Sequence, residues 1–279
     1  MNIITRTVND YSMLSVKKWL EQGLEHGFMN AQLNISEDDG ELWDNVYPGS
    51  SIKLLKQTHG THIVSVLDQE FTYNNGSPSN ADGWFIDLLH APYRTAFGVK
   101  TADCAPVIVF INSLRAVYLL HCGWRSAVDN FLPKVLLEIY NKYSGKAQVD
   151  GSNTRAMCKV FNKSVETKSL VRDVEICVGP AAKSCHYEVK DDVTTPAIKN
   201  FLELGGTKDM LSHVIVQRDG NTYFDIQELL KQQSLLLGIP EGNFASANVC
   251  TISDKSYFSF RRQGGEVGST GHQVSFVKI

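Results

Sequence analysis

Apolar positions along the chain alternate between short runs of strand length and longer runs with a helical period. Three runs in the first half are rich in Val, Ile and Leu, and they predict strands: SIKLLKQTHGTHIVSVLD (51–68), with a break at Gly60, AFGVKTADCAPVIVFI (96–111) and RAVYLLHCGW (115–124). The NSLR segment (112–115) between the last two runs is short enough to form a hairpin turn.

Two later segments carry helix signals. SAVDNFLPKVLLEIYNKYSG (126–145) repeats its apolar residues at helical spacing and predicts one amphipathic helix. DVTTPAIKNFLELGG (192–206) predicts another helix, with Thr194 or Thr195 as its N-cap and Pro196 at its first position. The polar segment between them, residues 144–168, has no period and predicts a surface excursion.

The last third of the chain returns to strand-like runs. Residues 213–240 predict a strand, a turn and then a helix that begins after an Asp225 N-cap. FASANVC (244–250), YFSFRRQ (257–263) and QVSFVKI (273–279) predict closing strands. Because strands and helices alternate and no repeat or linker divides the chain, we expect one α/β domain over residues 1–279.

Composition narrows the class of protein. The chain has 279 residues, 43% of them hydrophobic, and a formal net charge of −3, which makes nucleic acid a poor default partner. The longest apolar run, APVIVFI (105–111), is far too short to span a membrane, and the first residues lack a signal-peptide pattern, so we expect no membrane and a cytoplasmic location. The six cysteines contain no C-x-x-C pair and do not resemble a disulfide framework. Nothing in the sequence fixes an oligomeric state.

Polar residues interrupt apolar runs in three places: KQTHGTH (56–62), TADCAP (101–106) and LLHCGWRS (119–126). A polar group in a buried strand must be paired or functional. If the strands bring His59, Cys104 and His121 together, two imidazoles and a thiolate form a three-ligand Zn²⁺ site with a fourth position open, as in catalytic zinc sites. The spacing alone leaves two alternatives open. One is a set of satisfied core histidines with an inert thiol, and the other is a metal-free Cys–His hydrolase.

The neighbours His121 and Cys122 cannot both face such a site if the strand continues through them, because successive side chains point to opposite faces. The pattern does not decide between the two residues. Gly123 indicates that the strand ends there.

Several motifs, in order along the chain, resemble those of one family. KQTHG (56–60) resembles Q-V-H-G, and VKTADCAPVIVF (99–110) matches T-A-D-C-x-P-V. HCGWRSAV (121–128) resembles H-A-G-W-R-G, VGPAAKSCHYEV (178–189) resembles G-P-x-I-x-x-C-x-Y-E-V, and YFSFRRQ (257–263) resembles F-F-S-Y-R-R. These motifs are those of the YfiH-type laccase-domain family, whose members have been named multicopper polyphenol oxidases and later purine nucleoside phosphorylases.

The resemblance implies a fold and a site. It implies a four-layer α/β/β/α sandwich of two packed mixed sheets, a fold also found in a deamidating toxin. It selects His59, Cys104 and His121 as zinc ligands and places Cys122 at a position that is usually alanine. His62 lies outside the motif. Two family arginines are missing, one near the N-terminus and one where this chain has His272, and Gln227 replaces an asparagine.

The resemblance also implies an activity: phosphorolysis of adenosine, inosine, guanosine and methylthioadenosine, and hydrolytic deamination of adenosine. The expected partners are purine nucleosides and inorganic phosphate. Helper residues beside the expected ligands are Asp103 and Arg125, followed by Asp82, Arg261 and Arg262, and the Gly-rich segment 263–271 is a candidate phosphate loop. A copper-dependent polyphenol oxidase is the weaker alternative, because eight histidines without an H-x-H pair do not supply a multicopper site, although a single N₂S site binds adventitious copper. A non-catalytic metal- or purine-binding module is a further alternative.

Overall fold

The computed structural model describes residues 1–35, 40–67, 80–143, 171–265 and 270–279. The strands are β1 (Ile3–Val8), β2 (Tyr11–Val16), β3 (Glu25–Met29), β4 (Ser51–Leu54), β5 (Ile63–Ser65), β6 (Gly83–Asp87), β7 (Thr95–Thr101), β8 (Ala105–Ile111), β9 (Ala116–Cys122), β10 (Val174–Val178), β11 (Glu188–Val189), β12 (Ile215–Arg218), β13 (Asn221–Phe224), β14 (Phe244–Ser246) and β15 (Gln273–Lys278). The helices are α1 (Lys17–Glu21), α2 (Gly40–Val46), α3 (Trp124–Val128), α4 (Phe131–Tyr143), α5 (Asp191–Glu203), α6 (Lys208–Leu211) and α7 (Ile226–Leu236).

Two six-stranded sheets form the centre of the protein. The first sheet has the order β1-β2-β3-β15-β7-β4, and the second has the order β14-β10-β8-β9-β6-β5. Most neighbours are antiparallel, but β4–β7, β5–β6 and β10–β14 are parallel, so both sheets are mixed. A small antiparallel sheet, β11-β13-β12, lies outside them.

The sheets pack face to face over one apolar layer, and helices cover their outer faces. The layer between the sheets includes Phe28, Phe97 and Val277 from the first sheet and Trp84, Phe110 and Val117 from the second. Helices α4, α5 and α7 bury Phe131, Phe201 and Leu230 on the outer face of the second sheet. Trp43 of α2 packs on Phe276 of the first sheet, with ring centroids 4.9 Å apart. The expected four-layer α/β/β/α sandwich is therefore confirmed.

The central hairpin agrees with the sequence pattern. β8 and β9 pair antiparallel along their whole length, and a 3₁₀ turn at Asn112–Leu114 joins them. Side chains of β9 alternate as expected: Tyr118, Leu120 and Cys122 pack under the helices, whereas Leu119 lies between the sheets. His121, next to Cys122, therefore points to the opposite side of the sheet from that thiol.

The helix boundaries needed two corrections. The described part of segment 126–145, residues 126–143, lies in two helices instead of one, because Asn130 adopts a left-handed φ of 59° between α3 and α4. The helix expected to begin at Pro196 begins at Asp191, so Pro196 lies inside α5 and Thr194 and Thr195 are not caps. Pro196 leaves the carbonyl of exposed Asp192 without its amide partner, and carboxylates in the first turn favour the early start.

The C-terminal third is confirmed in part. Asp225 caps α7 by accepting a hydrogen bond of 3.0 Å from the Glu228 amide. The strand expected at 257–263 was wrong: these residues form turns, because their backbone and side chains bond to Asp103 and to loop carbonyls instead of a sheet partner. The excursion expected at 144–168 lies outside the described residues.

In the parts of the chain that the structure describes, every helix is too short or too polar to cross a membrane. That residues 1–279 form one domain stays a prediction.

Candidate metal centre

His59, Cys104 and His121 meet at one end of the sheets. His59 lies in the loop between β4 and β5, Cys104 directly precedes β8, and His121 is the penultimate residue of β9. Their ligand atoms all lie within 4.8 Å of one another, and the two imidazole rings are edge to face at 4.9 Å. His121 is 2% exposed, Cys104 is half-buried and His59 is exposed, so the group opens to solvent on the His59 side.

The buried carboxylate of Asp82 organises this group. Asp82 directly precedes β6 and is fully buried. It accepts hydrogen bonds from the backbone amides of Thr58 (3.2 Å), His59 (2.9 Å) and Gly60 (2.7 Å), and from the Thr58 hydroxyl (2.8 Å). The loop that carries His59 is thus wrapped around one carboxylate. This wrapping stabilises His59 at a left-handed φ of 60°, which costs a non-glycine residue of order 1 kcal/mol or more.

Asp82 also fixes the ring of His121. The His121 amide donates to the Asp82 carbonyl at 2.7 Å, and its Nδ1 lies 2.8 Å from the Asp82 carboxylate. A carboxylate accepts, so Nδ1 carries the proton and Nε2 is left as the free ligand atom toward Cys104 and His59. A metal-ligating imidazole is usually oriented in this way by a carboxylate that accepts a hydrogen bond from its other ring nitrogen.

The charges of these groups are tightly linked in the metal-free protein. Burial raises the pKa of Asp82, but hydrogen bonds from His121, Gly60 and Thr58 outweigh it and hold that pKa well below the usual range. Burial raises the pKa of Cys104 while His121 and His59 lower it, with a net decrease to about 6. Burial lowers the pKa of His121 while Cys104 and Asp82 raise it, with a net increase to about 9. At neutral pH the pair is therefore a thiolate and an imidazolium.

This ion pair makes metal binding a measurable proton release. A ligating histidine must be neutral, so at pH 8 a metal ion should expel about one proton, from His121. Release should vanish above pH 9, where His121 is already neutral, and should rise below pH 6, where Cys104 also gives up a proton. Calorimetric titration with Zn²⁺ in buffers of different ionisation enthalpy measures the number. A value near zero at pH 8 contradicts the assignment.

Gly123 leaves room for the ligands. A Cβ at this position would lie 2.9 Å from the His59 ring and 3.1 Å from the Cys104 sulfur. The glycine after Cys122 is therefore needed for the close approach of backbone and ligands, and not only for the end of β9.

Asp103 lies next to Cys104 but its carboxylate serves another segment. It accepts hydrogen bonds from the Thr251 hydroxyl (2.6 Å), the Ser259 hydroxyl (3.0 Å) and the Arg261 amide (2.7 Å). These bonds fasten the 251–261 turns beside the ligand group. The prediction that Asp103 takes part in catalysis stays a prediction, and the bonds themselves describe a positioning role.

The arginines divide into two kinds. Arg262 donates to the carbonyls of Thr251, Ile252 and Asp254, so it stabilises a loop and is engaged by it. Arg125 is exposed, with its guanidinium 4.5 Å from the centre of the Trp124 ring, and no acceptor among the described residues engages its donors. The candidate phosphate segment 263–271 lies partly outside the described residues.

Tyr187 is a residue of this region that sequence reasoning missed. It is 7% exposed, and the Arg261 guanidinium lies 4.9 Å from its ring centre. Burial and the charge of Cys104 raise its pKa, Arg261 and Arg125 oppose the increase, and Asp103 adds to it. Tyr187 is therefore a neutral, buried hydroxyl beside the ligand group. The only signal for it was its place in the CHYEV motif (185–189).

The family departures have different consequences. Gln227 donates to the carbonyls of Ala181 (3.3 Å) and Val249 (2.8 Å), so it has a structural role. His272 is half-buried, and burial together with the positive charges of Lys100 and His121 lowers its pKa. A neutral imidazole thus stands at the position where the family motif has an arginine. His62 is exposed, and its backbone carbonyl accepts a hydrogen bond from the Asp82 amide.

Comparisons with known proteins show which proteins the chain resembles. The chain is 25% identical to a purine nucleoside phosphorylase of Clostridium acetobutylicum, with 99% of each chain covered. It is 28% identical to a purine nucleoside phosphorylase of Bacteroides thetaiotaomicron, over 76% of this chain and 68% of the relative. It is 24% identical to an adenosine deaminase from an unknown prokaryotic organism, over 87% of this chain and 79% of the relative.

Solved structures share the fold. YlmD of Geobacillus stearothermophilus matches with a TM-score of 0.71 at 18% identity, covering 99% of both chains. The hypothetical protein YfiH of Bacillus licheniformis matches with a TM-score of 0.68 at 20% identity, covering 96% of both chains. The family model described as multi-copper polyphenol oxidoreductase laccase matches residues 31–151 and 149–279. These two matches span most of the chain, which therefore belongs to the multi-copper polyphenol oxidoreductase laccase family.

Proposed function

We propose that this protein is a zinc-dependent enzyme of purine nucleoside metabolism that carries out phosphorolysis of purine nucleosides and hydrolytic deamination of adenosine. The observation that carries the proposal is the convergence of three ligand atoms within 4.8 Å, with one of the three side chains exposed. Relatives named purine nucleoside phosphorylase and adenosine deaminase, which cover most of the chain, support the class of substrate.

The donor set fits Zn²⁺. Two neutral imidazoles and one thiolate leave a net charge of +1 on a bound Zn²⁺, and three protein ligands leave a position for substrate. When bound there, Zn²⁺ supplies a Lewis acid that polarises the substrate and acidifies water. Copper ligated by the same N₂S set is the adventitious competitor, since Cu²⁺ binds most such sites more tightly.

The residues of the chain supply orientation and charge. Asp82 holds His121 and the His59 loop, so the ligands need little rearrangement to bind the ion. Arg261 lies over the Tyr187 ring and donates one bond to the Glu188 carbonyl at 2.6 Å, and its other donors, together with the exposed guanidinium of Arg125, suit a phosphate group. Tyr187 contributes a neutral hydroxyl that can donate to a purine nitrogen or a ribose oxygen.

Two balanced reactions follow for adenosine. In phosphorolysis a phosphate oxygen bonds to C1′ of the ribose, the bond from C1′ to N9 breaks, and N9 takes a proton, which gives adenine and ribose 1-phosphate. In deamination water adds at C6 and ammonia leaves, which gives inosine. Only the first reaction needs phosphate, so phosphate dependence separates them.

We expect metal-loaded protein to convert adenosine to adenine and ribose 1-phosphate when phosphate is present, and to inosine with or without it. Chelation should stop both reactions, and Zn²⁺ should restore them. Arg125→Ala should raise the KM for phosphate roughly tenfold, because one charge-assisted bond is lost, and leave deamination nearly unchanged. Chromatography of the products with time measures all three.

Arg172→Ala is the matched control for Arg125→Ala. Arg172 is exposed and lies just before β10, whose first residue pairs with Ile111 at the far end of β8 from Cys104. It should leave the phosphate KM unchanged. If fully loaded protein fails to turn over adenosine, inosine and guanosine, the proposed function is wrong.

One observation favours a second candidate, a metal-free Cys–His hydrolase. Cys104 could act as the nucleophile, His121 as its base, and Asp82 as the carboxylate that orients His121. Such a triad gives no role to His59, whereas a metal site needs it. Trapping of an acyl adduct on Cys104 in chelated protein would favour the hydrolase.

A further inference from the structure

A second cluster of soft metal ligands lies on the segments that carry Tyr187 and Thr251. The ligand atoms of Cys185, His186 and Cys250 all lie within 4.8 Å of one another. Two of these residues directly precede Tyr187, and the third directly precedes Thr251, which holds Asp103. The proposed function uses none of the three.

The backbone fixes the two segments that carry this cluster. Ala181 and Cys250 form a parallel bridge, and the Thr251 amide donates to the Ala181 carbonyl at 3.2 Å. The amides of His186 and Tyr187 both donate to the Lys183 carbonyl, at 3.0 and 2.9 Å. These main-chain bonds fix the two segments that carry the ligands.

The three side chains are available for an ion. Cys185 and His186 are exposed, while Cys250 is 7% exposed. Among the described residues, no side-chain hydrogen bond engages the ring of His186. Packing accounts for Cys250, but it does not account for two exposed ligands beside it.

We propose that Cys185, His186 and Cys250 form a second metal site, which takes Zn²⁺ or a similar soft divalent ion and links the 183–187 turn to the segment after Cys250. Two thiolates and one imidazole neutralise a divalent ion, in contrast to the net +1 of the first site. Its ligands come from two segments, so the ion ties the 183–187 turn to the segment that begins at Cys250. The ion holds Tyr187 and the Thr251–Asp103 contact in place beside the first site.

The test is a metal count on the full chain. Protein stripped with a chelator and kept in a phosphine reductant is titrated with Zn²⁺, and we expect about two equivalents per chain for the parent. Cys185→Ser with Cys250→Ser, and separately His186→Gln, should lower the count to about one without loss of the first site. Co²⁺ titration gives an independent readout, because the sulfur-to-metal band should grow more for the ion bound by two thiolates.

His213→Gln is the matched control, since His213 is also exposed and lies outside both clusters. It should keep the parent count. A parent count of one, or an unchanged count in the Cys185/Cys250 variant and in His186→Gln, overturns the proposal. Peptide mapping that finds a Cys185–Cys250 disulfide in protein isolated without added reductant also overturns it. Because His186 is exposed, its variant should fold, and this keeps the test decisive if the cysteine variant does not.

Discussion

Cys104→Ala should remove about one Zn²⁺ per chain and lower purine nucleoside turnover by roughly a thousandfold. Cys104 is the only thiolate of its ligand group, and its sulfur lies with the ligand nitrogens of His59 and His121 inside a 4.8 Å cluster. Two neutral imidazoles alone bind Zn²⁺ weakly, and the Lewis acid contributes several kcal/mol of transition-state stabilisation. Metal analysis of the purified variant and initial rates with adenosine measure both effects.

Cys122→Ala is the matched control for this variant. Cys122 is fully buried among apolar side chains under the helices, and burial raises its pKa beyond the usual range of a thiol. It lies on the opposite face of β9 from His121, so its loss should leave metal content and turnover near those of the parent. Equal loss of metal from Cys122→Ala and Cys104→Ala would disprove the ligand assignment.

Asp82→Asn should lower metal affinity by about 10- to 100-fold while the fold is kept. The groups around the Asp82 carboxylate are all hydrogen-bond donors. The amide of asparagine replaces one of the two acceptor oxygens with an NH₂ donor, which these groups cannot accept. His121 then loses its charged acceptor at Nδ1, and the tautomer that frees Nε2 for the metal is no longer favoured. Competition with a chromophoric chelator measures the affinity.

Asp82→Ala should have a larger effect on stability, of about 3–5 kcal/mol, because several buried donors lose their acceptor at once. The backbone amides of Thr58, His59 and Gly60 are among these donors. Chemical denaturation of the metal-free protein measures the free energy of unfolding and separates this effect from that of the metal.

Asp87→Asn is the control for both changes at Asp82. Asp82 directly precedes strand β6, and Asp87 is its last residue. The Asp87 carboxylate also contacts a histidine, His90, at 3.0 Å, but that histidine is exposed. A surface pair of this kind contributes about 0–1 kcal/mol, so this variant should bind metal and unfold like the parent. Equal effects of Asp82→Asn and Asp87→Asn on metal affinity would exclude an orienting role for Asp82.

The sequence predicted those elements whose signals are local. The apolar runs at 105–111 and 116–122 form the paired strands β8 and β9 because both lie in the centre of a buried sheet, where strand composition and burial agree. Local signals failed where a distant partner decided the conformation. Residues 257–263 have strand composition, but the Asp103 carboxylate and loop carbonyls hold them as turns.

By itself, the sequence determined the succession of strands and helices, the motifs that place the chain in its family, and the three residue types that suit a soft metal ion. Only the tertiary structure decided which distant groups orient and hold these residues. Asp82 contacts His121 across 39 residues of chain, and Asp103 holds Thr251 across 148. Such pairs leave no periodic or local pattern, because hydrogen bonds and ligation depend on distances of a few ångströms that only the packed sheets set. The same reason hid Tyr187 and the Cys185–His186–Cys250 cluster.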